Sequence, residues 1–225
     1  VNLKKNLNLL INIKLFLIFF KKYINFINQN KSNIYIYRHA KTNLNLNKDL
    51  FIGQKLNPTI IKRKLKFHKR DYNKVFSSKL LRCIQTAKLL SNNKVHTYSL
   101  LNEINYGDVE GKNLSYLKEN HNYLLSGWSN GLDMRFPNGE NYSDLVKRLN
   151  SFTEILMKSV KPKENYLIVT HNVILRVLIG NYFGLEMKNW YILKIKNLAS
   201  FKFISFNNKI YPEINRRLFT YKIYG

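Results

Sequence analysis

The stretch "NIYIYRHAKT", residues 33–42, runs through β-favouring residues to Tyr37 and then presents Arg38 and His39 side by side. This predicts a strand over residues 34–37 with the basic pair at its carboxyl end. Alone, such a dipeptide is an ordinary solvated feature, and short motifs match by chance. Its meaning depends on what the rest of the chain brings to the same place.

From residue 33 onward strand and helix signals alternate. "KVFS" (74–77) and "VHTY" (95–98) predict further strands, "YLIVT" (166–170) predicts a buried central one, and two more fall within 198–206 and 209–213. Residues 60–69 form a basic stretch expected as a helix with a solvated face. In "SSKLLRCIQTAKLL" (77–90), Ser78 is the expected N-cap, and Leu80, Leu81, Ile84, Ala87 and Leu90 recur near helical spacing. The strongest periodic signal lies in "PNGENYSDLVKRLNSFTEILMKSV" (137–160), where Tyr142, Leu145, Val146, Leu149, Phe152, Ile155 and Leu156 make one apolar face. Residues 171–183, "HNVILRVLIGNYF", read as a helix that follows its strand at once. Strands alternating with helices predict an α/β fold, a three-layer α/β/α arrangement with a mostly parallel central sheet.

Open sheets of this kind bind ligands in the crevice outside the carboxyl ends of their strands. Arg38 and His39 follow one strand, His171 follows another, Arg82 lies on the first helical turn after "KVFSS", and Glu103 lies in the loop after "VHTY". If these strands are neighbours, two arginines, two histidines and one carboxylate share one edge. Two guanidiniums and the amides of a helix start suit a phosphate dianion. A neutral histidine fixed in one tautomer can attack phosphorus, and the carboxyl group can protonate the leaving oxygen and later deprotonate water. Such a reaction needs no metal and no cofactor. Each residue also has a plainer reading: His171 as a hydrogen-bonded core histidine, Glu103 as a turn cap, Arg82 as a solvated helix residue. Glu110 and Arg148 read as structural pairs, and His68, His96 and His121 fall outside the motifs.

"YRHAKT", "SSKLLRCIQTA", "LNEINYGDVEG", "PNGEN" and "IVTHNVILR" occur in the order seen in the histidine phosphatase superfamily, the phosphoglycerate mutase-like proteins. The resemblance extends from residue 33 to the start of the last strands. By position it implies His39 as the nucleophile that becomes phosphohistidine, Arg38, Arg82 and His171 as the phosphate clamp, and Glu103 as proton donor. It also implies Asn45 as a polar contact to the phosphate or its histidine, and a backbone amide from Asn172. Ala40 and Lys41 stand where many members have glycine and an acidic residue. Asn141 stands where serine is common, and Asn172 where glycine is frequent.

The resemblance makes the chain a histidine acid phosphatase-like phosphomonoesterase acting on a small phosphorylated metabolite. The rivals are a cofactor-dependent phosphoglycerate mutase, a protein phosphohistidine phosphatase and a non-catalytic basic phosphate-binding protein. The "LNEINYGDVEG" segment argues against the short phosphohistidine phosphatases, which generally lack it. Resembling mutases carry a longer insertion with more basic residues before "P-x-G-E" than residues 106–136 provide. Tyr116, Trp128 and Arg135 in that segment either line a substrate cap or pack it.

Composition bounds these readings. The chain has 225 residues, 45% of them hydrophobic, enough for one α/β domain, expected over residues 33–225 behind an extension at 1–32. Lys+Arg 38 against Asp+Glu 13 gives +25, which draws a protein to phosphate backbones, anionic lipid or acidic small molecules. Asn, Ile, Tyr, Phe and Lys are also residues of A/T-rich codons, and the body of the chain has no dense basic block, so no dedicated nucleic-acid partner is expected. One cysteine, Cys83, excludes an internal disulfide and fits a reducing, cytoplasmic setting. In residues 1–32 an apolar patch at 15–20 is flanked by lysines, and Asn8, Asn12 and Lys14 break the run below the roughly 18 apolar residues of a membrane span. Three readings follow: a membrane-associating segment, a targeting extension, or upstream sequence read from too early a start.

Overall fold

The computed structural model of the chain describes residues 18–47, 49–62 and 69–213. Residues 18–30 are helical (α1) and lead directly into strand β1, Ser32–Arg38. The other strands are β2 (Lys74–Ser78), β3 (Val95–Tyr98), β4 (Asn165–Thr170), β5 (Ser200–Phe206) and β6 (Lys209–Pro212). They form one sheet in the order β3-β2-β4-β1-β5-β6. The first four are mutually parallel, as the alternating pattern predicts.

The sheet is mostly parallel, as expected, with two strands reversed at one edge: β5 runs antiparallel to β1, and β6 antiparallel to β5. The β5–β6 direction follows from the two-residue turn between those strands. Asn207 and Asn208 both take positive φ, 48° and 57°, the conformation of a tight hairpin turn. Only antiparallel strands can be joined that briefly.

The pleat divides the sheet's residues between two cores. Ile34, Ile36, Phe76, Tyr166 and Ile168 face one cluster, shared with helices α5 (Tyr142–Ser159) and α6 (Asn172–Tyr182). Their neighbours Val75, Leu167 and Val169 face the other, closed by Cys83, Ala87 and Leu90 of α2 (Leu81–Leu90). Helices on both faces complete the three layers. The expected face of α5 is the one buried: Leu145, Leu149, Phe152 and Leu156 are all enclosed. Asn141 caps that helix reciprocally with Asp144.

One expectation is corrected, and a second lies mostly outside the described residues. α2 begins at Leu81 with Leu80 as N-cap, not Ser78, which remains the last residue of β2. The Leu81 amide is taken by Asn57 Oδ1 at 2.7 Å instead, and the Ser78 hydroxyl serves the site described below. Most of the expected helix at 60–69 falls on residues 63–68, outside the described residues. Its described beginning is extended, with Ile60 bridging Thr42 and the Ile61 amide bonded to the Lys41 carbonyl at 2.8 Å.

Candidate active site

The register of β1 against β4 places Arg38 opposite Thr170. One further bond, His39 N–H to the Thr170 carbonyl at 2.9 Å, extends the ladder past the strand end. His39 and His171 are therefore adjacent, their ring centroids 5.3 Å apart. β2 lies on the other side of β4, so Ser78 and the first turn of α2 reach the same edge. The loop after β3 supplies Glu103. His39, Arg82, Glu103 and His171 are all buried, and the sheet brings the five residues Arg38, His39, Arg82, Glu103 and His171 together.

His39 is held by its own neighbour: Nδ1 lies 2.7 Å from the Ala40 carbonyl. A carbonyl only accepts, so Nδ1 carries the proton and Nε2 keeps the lone pair. Ala40 is in turn tied to α2 through Thr86, whose hydroxyl accepts from the Ala40 amide at 2.8 Å and donates to the Arg82 carbonyl at 2.7 Å. Burial, with the charges of Arg82 and Arg38, holds the His39 imidazole well below its usual value near 6.5, despite the raising effect of the Ala40 bond. The ring is neutral at neutral pH.

Arg82 is fully enclosed, and its terminal nitrogens donate to the carbonyls of Gly53 at 2.8 Å and Leu56 at 3.0 Å. Glu110 fixes the loop that provides them by accepting from the Gln54 and Leu56 amides. Arg38 donates to the Ile195 carbonyl. The Nε groups of both arginines, and Oδ1 of Asn172, are buried without a partner. Two unsatisfied cationic donors are costly unless something anionic meets them. Burial lowers the pKa of both arginines, and a guanidinium in a protein keeps its charge.

His171 is oriented by a chain of bonds whose direction can be assigned. The Lys79 amide donates to Asn102 Oδ1 at 3.0 Å, which identifies that atom as the amide oxygen. The Ser78 hydroxyl donates to the same oxygen at 2.8 Å. Its own oxygen therefore accepts from His171 Nε2–H, 2.9 Å away, leaving Nδ1 with its lone pair and Cys83 Sγ 3.8 Å away. Cys83 Sγ lies 3.2 Å from Nε2, and burial pushes its thiol pKa up. Ser78→Ala leaves the buried Nε2–H without its oxygen acceptor and is expected to cost about 1–3 kcal/mol of stability, measured by urea denaturation.

Glu103 sits at the start of α6, its carboxylate accepting from the Ile104 amide at 3.1 Å and the Val173 amide at 3.3 Å. Burial raises its pKa above the ordinary carboxyl value, opposed by Arg82, these two amides and Arg38. Its backbone carbonyl is gripped by Gln54 Nε2 at 2.8 Å and by Arg148 at 3.1 Å. Arg148 is itself paired with Glu140, at 2.9 and 3.1 Å. The "PNGEN" turn thus braces the glutamate loop. Gly107, at φ +56°, makes the close approach possible, since a Cβ there would stand 1.9 Å from the Pro137 carbonyl.

The remaining expected residues are placed as follows. Asn45 lies in a short turn after Thr42, and its Oδ1 accepts from the Thr42 amide and hydroxyl at 3.1 and 3.0 Å, so its carbonyl end shapes the loop. Asn172 opens α6 with His171 as N-cap. His96 lies on β3 against Phe76, and His121 joins α3 (Leu114–Asn120) to α4 (Asn122–Ser129). His68 is outside the described residues. Trp128 packs on Phe136 with its indole nitrogen bonded to the Met134 carbonyl at 3.2 Å, Tyr116 lies under Lys112, and Arg135 turns to Asp144.

The sequence reading missed Arg176. One turn into α6, it donates through Nε to the Leu193 carbonyl at 2.8 Å, and its charge is felt at Glu103. It also adds to the positive field at Arg38. The hydroxyl of Tyr142 beside it is buried without a partner. Helical spacing carried the signal, because residues 172 and 176 share a helix face.

A family model described as the histidine phosphatase superfamily (branch 1) matches residues 34–211. The chain is 32% identical over 163 residues to 6-phosphofructo-2-kinase/fructose-2,6-bisphosphatase 4 of Rattus norvegicus, covering 67% of this chain and 32% of the rat protein. It thus spans about a third of that bifunctional relative. Among solved structures, the alpha-ribazole phosphatase of Shigella flexneri superposes with a TM-score of 0.68 at 22% identity, over 81% of this chain and 95% of that one. The phosphoglycerate mutase of Bacillus anthracis str. Sterne gives 0.64 at 20% identity, over 82% and 92%. These two likenesses establish the fold.

Proposed function

Since the chain belongs to the histidine phosphatase superfamily (branch 1), whose members here are phosphatases and mutases, we propose that it hydrolyses small phosphate monoesters through a covalent phosphohistidine on His39. The observation that carries this reading is the neutral His39 ring, locked through Nδ1 onto the Ala40 carbonyl, beside two arginines with unpartnered buried Nε groups.

In the first step His39 Nε2 attacks phosphorus and the ester P–O bond breaks. Glu103, protonated, gives its proton to the departing oxygen. In the second step the Glu103 carboxylate takes a proton from water, the resulting hydroxide attacks phosphorus, and the P–N bond breaks. Inorganic phosphate leaves, and both residues return to their starting states. Arg38, Arg82 and, once protonated at Nδ1 against the bound dianion, His171 offset the charge on the transferring group.

The closest alternative is phosphoglycerate mutase. Arg176 and the Tyr142 hydroxyl favour an ester with a second anionic group, which a mutase substrate carries. Against it, the α3–α4 segment turns Trp128 into the core and Arg135 to Asp144, adding no basic clamp. Purified protein is therefore expected to release phosphate from monoesters and to interconvert 2- and 3-phosphoglycerate poorly, even when primed with bisphosphoglycerate. Fast primed isomerisation with negligible phosphate release would assign the chain to the mutases.

A further inference from the structure

We propose that α1 anchors the protein on an anionic membrane surface, its apolar face laid into the lipid and the catalytic end of the sheet directed away. At about 100° per residue, Phe19, Phe20, Tyr23, Ile24, Phe26 and Ile27 fall on one side of α1, and Lys21, Lys22, Asn25, Asn28 and Gln29 on the other. Ile18 and Asn30 are the exceptions. Most of the apolar side is exposed: Phe19 is 69% exposed, Tyr23 56% and Ile24 39%, and Phe26, which leans on the sheet, is still 54% exposed. An aromatic and aliphatic face opposite a lysine-bearing one is the pattern of a helix lying in a membrane interface. No described helix is long and apolar enough to cross a membrane.

The placement of α1 fixes which pole would meet the lipid. Phe26 rests edge-on against Phe206 of β5 at 5.8 Å, and the Lys31 amide closes onto the Ile27 carbonyl at 2.8 Å immediately before β1. The helix is therefore held at the amino end of β1, while His39 follows its carboxyl end, roughly 20 Å away along the strand. Lys74, Lys158, Lys161 and Lys163 share this pole, against Asp71 and Glu164, and the Lys163 amide bonds to the Lys31 carbonyl at 3.0 Å. Lysines on the helix and around its base complement an anionic surface. Two copies of the same pole would repel one another, which argues against self-association through this face.

Flotation of the full chain with phospholipid vesicles tests the proposal. The protein is expected to float with vesicles of phosphatidylserine and phosphatidylcholine in equal parts and not with phosphatidylcholine alone. It should detach near 1 M salt, where screening shortens to about 3 Å. Lys21→Ala with Lys22→Ala should weaken binding roughly 25-fold, at about fivefold per lysine. Phe19→Glu with Tyr23→Glu should abolish it, and both variants should keep wild-type hydrolysis of p-nitrophenyl phosphate. No flotation of the wild type, flotation unchanged by Phe19→Glu with Tyr23→Glu, or a salt-resistant dimer in light scattering that these substitutions dissolve would overturn the anchor. None of these outcomes bears on the reaction assigned to His39.

Discussion

His39→Ala is expected to lower hydrolysis of p-nitrophenyl phosphate by a factor on the order of 10⁴ to 10⁶, the range for loss of a covalent nucleophile, while the protein stays folded. The size follows from the absence of a substitute. His171 is held through Nε2 by Ser78 at 2.9 Å and is placed to offset charge, not to attack; Cys83 is buried with its pKa pushed up, and Glu103 is held by the Ile104 amide and the helix-start Val173 amide. Replacing His39 removes a ring from the buried strand end rather than from either hydrophobic core, so circular dichroism and the urea midpoint separate lost chemistry from lost fold. A folded variant with near-wild-type turnover would remove His39 from the mechanism.

Glu103→Gln produces the second large effect, and its signature is selectivity. An alkyl phosphate needs its leaving oxygen protonated, so the loss there is expected at about 10²–10⁴-fold, with a much smaller loss for p-nitrophenyl phosphate. The pH dependence follows the same logic. His39 must be neutral, so the rate rises as pH climbs through its depressed pKa. Glu103 must be protonated, so the rate on alkyl esters falls as pH climbs through its raised pKa. Glu103→Gln, which cannot ionise, should erase the falling limb and leave the rising one. Equal losses on alkyl and aryl esters, with phosphorylation rate-limiting, would take the proton-donor role from Glu103.

The two histidines and both arginines were legible in the sequence because each stands at a strand end or on the helical turn directly after one. In a parallel sheet those positions meet wherever the strands are neighbours. The β5–β6 hairpin was legible as two strands but not in direction. That lay in "FNNK", a two-residue connection that no crossover fits. Ser78 was misread because a serine just before a helix is an ordinary cap signal. Only the tertiary neighbours Asn102 and His171, remote in sequence, show where its hydroxyl is used. The braces on the glutamate loop were invisible for the same reason: Gln54 and Arg148 lie 49 and 45 residues from Glu103. Arg176 belongs to a different class, since its helical spacing from Asn172 was readable and only its depth was not.

In the proposed reaction phosphorus becomes bonded to His39 during turnover. Rapid mixing with ³²P-labelled ester, quenching in alkali and mapping of the labelled peptide test that directly. The label is expected on the peptide containing His39, stable in base and lost in acid, forming faster than phosphate is released, and absent from His39→Ala. Turnover with no acid-labile phosphoprotein at any quench time, or label mapped to a residue other than His39, would contradict it.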